Sequence, residues 1–203
     1  KSLVLLKNDR NALPLAKGAK RIHVAGQAAD DIGMQCGGWT IDWQGECGNI
    51  TAGATTILGG IRRAISADAR ITFSADAETI KGADAVIVVV GEKPYAEMHG
   101  DRADLRLAAD DVKLVERARA TGAPVVTILL SGRPMILESA LTNSSAFVAA
   151  WLPGTEGGGV ADVLFGDFKP TGKLPRPWPA DNASLANEPS AKLLFPAGFG
   201  LTH

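Results

Sequence analysis

Charge imbalance, cysteine, long apolar runs and aromatic rings are all scarce in this 203-residue chain, and each scarcity excludes a class of protein. Lys and Arg number 21 against 22 Asp and Glu, so the basic stripe of a nucleic-acid-binding protein is missing. No apolar run approaches the ~18 residues that a membrane-spanning helix needs. There are 2 cysteines, Cys36 and Cys47, and 3 histidines, none at ligand spacing beside them, so no four-ligand zinc site can form. The cysteines either pair across a short Gly-rich loop, as export would favour, or remain free as small hydrophobes. Aromatic residues are 5% of the chain while hydrophobic residues are 46%, so the core must be built from Val, Ile, Leu and Ala. Phosphate-binding signatures are lacking too. No Gly-x-Gly-x-x-Gly follows a strand-like run. The stretch Gly166 to Lys173 has one residue too many between its glycines, and Leu174 stands where a hydroxyl should meet magnesium. Ser131, in Leu-Ser-Gly-Arg, is not in a nucleophile elbow.

What is present is a regular alternation. Strand-like runs are Leu3–Leu6, Arg21–Gly26, Arg70–Ser74, Ala85–Gly91, Val125–Ser131 and Ala146–Trp151. Ala85 to Val90 shows no polar alternation, as expected of a strand covered on both faces in a parallel sheet. Helical spacing marks Thr55–Ser66, Leu107–Thr121, Met135–Leu141 and Gly158–Phe165, with Gly122 and Pro124 ending the second. The expectation is an α/β fold, a mostly parallel doubly wound sheet with helices on both faces, in a chain of one domain's length. From Lys169 onward, Pro170, Pro175, Pro177, Pro179, Pro189 and Pro196 predict an extended tail wrapped over that domain. A strand-like segment at the first residue, without Met, suggests a piece of a longer chain.

Doubly wound sheets bind ligands beyond the carboxyl ends of their strands. Two loops there are chemically rich. The loop after Gly26 carries Trp39 and Trp43 among glycines and polar groups. Either the rings cover the end of the sheet, or they form a stacking platform for the C–H face of a pyranose, with Gln, Asp and Thr near its hydroxyls. The loop after Val90 carries Glu92, Glu97, Asp101, His99 and the single Tyr95. A glutamate there, shielded by Tyr95 and the tryptophans, would have its pKa raised and could serve as a general acid. His23, inside an apolar strand, is read as a packed core residue. Arg133 could fix an anion, but alone before Pro134 it is read as structural.

Ser2-Leu-Val-Leu-Leu-Lys-Asn8 with Leu13-Pro-Leu15, Gly37-Gly-Trp-Thr-Ile-Asp-Trp-Gln-Gly45, Gly91-Glu-Lys-Pro-Tyr-Ala-Glu97, Ser131-Gly-Arg-Pro134, Ala149-Ala-Trp-Leu-Pro-Gly-Thr-Glu-Gly157, Phe165-Gly-Asp167 with Gly172-Lys-Leu-Pro175, and Gly198-Phe-Gly-Leu201 run through the chain in order. Together they resemble the second domain of family 3 glycoside hydrolases, the exo-acting β-glucan glucohydrolases and β-glucosidases in particular. The resemblance implies an (α/β)6 sandwich over residues 1–203, with 169–203 as its tail, preceded in the whole enzyme by a barrel domain absent from this chain. It implies a retaining mechanism on β-glucan or β-glucoside oligosaccharides, with the nucleophilic Asp on the barrel. By motif position Glu97 is the general acid/base, Trp43 the aglycone-side ring and Trp39 its neighbour, while Glu92 matches no catalytic position. No cofactor, metal, nucleic acid or membrane is implied. Three other readings compete: a non-catalytic carbohydrate-binding module, a β-N-acetylglucosaminidase-type relative, and a nucleotide-binding domain disfavoured by the missing phosphate motifs. The family is often exported, which favours a periplasmic or extracellular site. Asn49, Asn143 and Asn182 head glycosylation triplets that matter only in a eukaryotic secretory pathway.

Overall fold

The apolar runs fold as strands of one sheet in the computed structural model, which describes residues 1–78, 80–185 and 191–203 apart from the Leu185 side chain. Pro189 of the tail lies outside the described residues. The strands are β1 (Val4–Asn8), β2 (Arg21–Ala25), β3 (Arg70–Ser74), β4 (Ala85–Gly91), β5 (Val125–Leu130) and β6 (Ala146–Trp151). They lie in the order β1-β6-β5-β4-β2-β3. β1 is antiparallel to β6, and every other pairing is parallel. The chain therefore builds outward from β2 to β3, then crosses to the other side of β2 and continues through β4, β5 and β6. The carboxyl ends of β2 and β4 flank this reversal, the place where open α/β sheets open a crevice.

Helices cover both faces. They are α1 (Ile32–Cys36), α2 (Ile57–Ala64), α3 (Ala109–Ala120), α4 (Glu138–Asn143) and α5 (Gly157–Leu164). α2 packs with α5 and α3 packs with α4. Alternate residues of β4 serve the two layers. Ile87 and Val89 join Ile57, Ile61 and Leu164 in one core cluster. Val86, Val88 and Val90 join Leu114, Val115 and Ala118 in the other. This two-sided burial is why the strand reads as an unbroken apolar run, each such side chain contributing about 1.5–3 kcal/mol when fully buried. The (α/β) sandwich expected from the sequence is thus the observed architecture, with one antiparallel edge strand.

Element boundaries differ where chain segments pair before a helix begins. Periodicity alone assigns residues 107 and 136 to helices. Instead Leu107 N–H donates to Ile136 C=O, and Ile136 N–H donates to Leu105 C=O, so both strands of this strap are extended. α3 starts two residues later than expected and α4 three residues later. α2 is shorter at both ends: Thr56 caps it, its Oγ1 accepting Gly59 N–H at 3.0 Å.

The segment from Lys169 folds back over β1. Leu174 N–H donates to Phe199 C=O and Leu201 N–H to Leu5 C=O. A short antiparallel pair, β7 (Trp178–Pro179) with β8 (Leu193–Phe195), seats the fully buried Trp178, whose indole N–H donates to Met135 C=O at 2.7 Å. His23 is buried as expected, its ring nitrogens bonded to Thr72 Oγ1 and Ser74 Oγ at 2.7 and 2.9 Å. Burial lowers its pKa.

Candidate functional site

The loops after β2 and β4 meet at the carboxyl edge of the sheet. The first is pinned at its base by buried Asp31, which caps α1. One carboxylate oxygen of Asp31 accepts Met34 N–H at 2.8 Å and Gly48 N–H at 2.7 Å, closing the loop into a ring. Buried Gln35 ties the same base to two more segments. It accepts Ile57 N–H at 2.8 Å and donates to Thr55 and Gly154 carbonyls at 3.2 and 2.9 Å. At the tip, Trp39 N–H donates to Trp43 C=O, making a tight turn. Trp39 and Ile41 both sit in left-handed backbone, φ 60° and 65°. Such values are outliers for bulky and β-branched residues and mark a conformation imposed by its surroundings. The two indoles lie with centroids 6.4 Å apart and planes tilted by 55°, Trp39 at 69% exposure and Trp43 at 38%. Ile41, Met98 and Leu152 are exposed as well, so this edge of the sheet presents an apolar surface.

The second loop turns at a 3₁₀ helix, Glu97–Gly100, in which Glu97 is left-handed at φ 46° and exposed. The structure brings the two loops together. Ala96 N–H donates to Gln44 Oε1 at 2.9 Å, and the ring of His99 meets that of Trp43 edge-on at 6.1 Å. A Cβ on Gly38 would fall 2.2 Å from the carbonyl oxygen of Tyr95, so only glycine permits this approach. Trp39, Trp43 and Glu97 therefore share one edge of the sheet.

The glutamate of this loop that Tyr95 shields is Glu92, and Glu97 stays exposed. Tyr95 turns inward and its hydroxyl donates to Glu92 Oε2 at 2.9 Å. Burial, and after it the Glu92 charge, pushes the Tyr95 hydroxyl up to about 12. Glu92 is the hidden centre of this loop, with its side chain 8% exposed. Its Oε1 accepts from Arg133 Nη2 at 2.7 Å and Arg102 Nη2 at 2.8 Å. Arg133 also stacks over Tyr95, 4.5 Å from the ring centroid, and donates from Nη1 to Gly100 C=O at 2.6 Å. Arg133 is structural, as expected, and the anion it fixes is Glu92. Glu92, which matches no catalytic position, is a buried anion that holds Tyr95, Arg102 and Arg133 together.

Beside this loop, at the β2–β4 reversal, lies a cavity of about 700 Å³ lined by Gly26, Gly91, His99, Asp111, Lys113 and Arg117 among others. Asp111, in the first turn of α3, accepts Gly91 N–H at 3.3 Å. Burial pushes its carboxyl up to about 6. Sequence reasoning missed Asp111, Gln35 and the role of Glu92. Each acts on a partner at least 20 residues away, which no local pattern encodes.

Cys36 and Cys47 are free thiols, and burial raises both. Of the glycosylation triplets, Asn182 is committed to the fold, accepting Leu105 N–H at 2.9 Å and donating to Asp104 at 2.7 Å. Among the described residues, no helix is long and apolar enough to cross a membrane.

Known proteins resemble this chain in sequence and in fold. The chain is 36% identical to the lysosomal beta glucosidase of Dictyostelium discoideum, over 91% of this chain and 25% of that protein. It is 31% identical to the periplasmic beta-glucosidase of Salmonella typhimurium, over 88% of this chain and 27% of that protein. It spans about a quarter of the length of these curated relatives. The exo-1,3/1,4-beta-glucanase of a Pseudoalteromonas species superposes with a TM-score of 0.88 at 40% identity, over 98% of this chain and 27% of that one. A beta-glucosidase from Listeria innocua, solved with gluconolactone, gives 0.82 at 25% identity, over 99% and 32% of the two chains. The model of the glycosyl hydrolase family 3 C-terminal domain matches residues 3–203, and the chain belongs to that family.

Proposed function

We propose that residues 1–203 form the α/β-sandwich domain, with 169–203 as its extended tail, of a retaining exo-acting β-glucosidase or β-glucan glucohydrolase. Glu97 is its general acid/base, and Trp43 with Trp39 forms the aglycone-side platform. The nucleophilic Asp belongs to a preceding barrel domain. The observation that carries this reading is the junction of the two loops: exposed indoles and a left-handed, exposed glutamate share one strand edge, tied by Gln44 to Ala96 and Trp43 to His99. The activities of the relatives, β-glucosidase and exo-1,3/1,4-β-glucanase, support the substrate class. Similarity to a periplasmic relative supports a periplasmic or extracellular location.

The chemistry needs two carboxyl groups about 5–5.5 Å apart in a retaining enzyme. The barrel carboxylate attacks the anomeric carbon while Glu97 gives its proton to the departing glycosidic oxygen. Glu97, now a carboxylate, takes a proton from water, which attacks the same carbon and expels the nucleophile. Two inversions retain the β configuration. The exposure of Glu97 in this domain fits a group that a second domain covers, because the general acid must reach an oxygen outside its own fold.

The test is Glu97→Ala in the full-length protein. On cellobiose, whose alcohol leaves only with proton assistance, kcat/KM should fall by about 10²- to 10⁴-fold. On 2,4-dinitrophenyl β-glucoside, whose phenolate leaves unaided, kcat/KM should be nearly preserved. Full activity on cellobiose, or equal losses on both substrates, would leave the domain as a non-catalytic carbohydrate-binding module.

A further inference from the structure

Glu97 occupies left-handed backbone, which costs a non-glycine residue about 1–3 kcal/mol and persists only where the surroundings impose it. Two hydrogen bonds from outside its own loop hold the turn on either side of it. Ala96, immediately before Glu97, donates its N–H to Gln44 Oε1 at 2.9 Å. Gly100, at the far end of the same 3₁₀ turn, offers its carbonyl to Arg133 Nη1 at 2.6 Å. Gln44 comes from the loop after β2 and Arg133 from the loop after β5. Arg133 is itself held by Glu92 on two nitrogens, at 2.7 and 3.2 Å, and by the face of Tyr95.

The orientation of the Gln44 amide follows from its partner, since only the oxygen can accept an N–H. That orientation leaves Nε2 buried with no partner, alone in this among the side-chain polar atoms of the described residues. A buried donor left unpaired costs about 1–3 kcal/mol. Gln44 therefore does not hold this pose for its own satisfaction. Among the described residues, the bond to Ala96 is the one hydrogen bond its side chain makes.

We propose that Gln44 and Arg133 are positioning residues for Glu97. They clamp the 97–100 turn at both ends and so fix the direction from which the carboxyl reaches the glycosidic oxygen. Gln44 follows Trp43 directly, so the clamp also sets the distance between the aglycone-side ring and the proton donor. The proposal rests on Glu97 being the acid/base.

The test compares two leaving groups in the full-length protein. Gln44→Leu removes the acceptor and keeps the volume. Its kcat/KM on cellobiose should fall by about 10- to 100-fold, a part of what a positioned acid supplies. On 2,4-dinitrophenyl β-glucoside kcat/KM should stay within about threefold, because that glycosylation step needs no proton. Gln44→Glu restores an acceptor at the same reach and should recover most of the cellobiose loss. Arg133→Lys keeps the charge but cannot span Glu92 and Gly100 together, and should show the same leaving-group split. It also carries the test if Gln44→Leu fails to fold. Equal losses on both substrates, a change confined to KM, or no loss would overturn the positioning role. If Glu97→Ala itself shows no leaving-group split in the same assay, the acid/base reading has failed, and that result is distinct from a failure of Gln44.

Discussion

The interior of the sheet and its carboxyl edge obey different rules although they are contiguous in the chain. In β4, Ala85 to Val90 are buried without interruption and paired in regular parallel register. Seven residues beyond Val90, Glu97 is exposed and left-handed. Of the eight non-glycine residues with positive φ among the described residues, Trp39, Ile41, Ala77 and Glu97 lie in the loops after β2, β3 and β4 and Trp151 ends β6, while Arg10 and Asn11 follow β1 and Glu138 opens α4. Strain collects where the loops are over-determined by long-range bonds, and the apolar interior supplies the stability that tolerates it. Interior substitutions should therefore act on stability and spare chemistry, while edge substitutions should do the reverse.

The largest effect is expected inside. Ile87→Ala removes a fully buried side chain and should lower stability by about 2–5 kcal/mol, leaving kcat per folded molecule unchanged. A matching loss of kcat would break the division. Next comes Asp111. Its folded carboxyl is raised from 3.8 to about 6, so its contribution is present in full below pH 3.8 and is lost as pH rises through 6. Asp111→Asn should accordingly stabilise the protein at pH 8, by at most about 3 kcal/mol, and change nothing at about pH 3.5. Thermal unfolding against pH checks this, and a stabilisation largest at low pH would contradict it.

At the edge the effects are smaller in stability and larger in function. Gly38→Ala puts a Cβ 2.2 Å from Tyr95 O and must part the two loops, at a cost of about 1–3 kcal/mol. Its kcat/KM on cellobiose should drop more than that of Ile87→Ala, even though Ile87→Ala is the less stable protein. Trp43→Ala should weaken aglycone-side binding by about 1–3 kcal/mol, the scale of stacking on an aromatic ring. Oligosaccharides should suffer more than aryl glucosides, and equal losses would make Trp43 a structural residue.

The same division decides what was legible in the sequence. The strands were readable because two-sided burial leaves no polar residue in Ala85 to Val90 and only Thr127 in Val125 to Leu130. The edge loops were readable as chemically rich, and Trp39, Trp43 and Glu97 do share an edge. Their wiring was not readable. Glu92 to Arg133 spans 41 residues and Gln35 to Gly154 spans 119, separations at which periodicity carries no information. Helix starts failed for the same reason: the Leu107–Ile136 strap pairs residues whose apolar spacing mimics a helix.

If this edge delivers the acid/base, one product identifies it. The full-length Glu97→Ala protein should hydrolyse 2,4-dinitrophenyl β-glucoside slowly, because no base activates water once the glucosyl-enzyme has formed. Azide needs no base: it attacks the anomeric carbon, displaces the nucleophile and should restore turnover. The expected product is β-glucosyl azide, identified by NMR. Absence of rescue by azide, or formation of the α-azide, would contradict it.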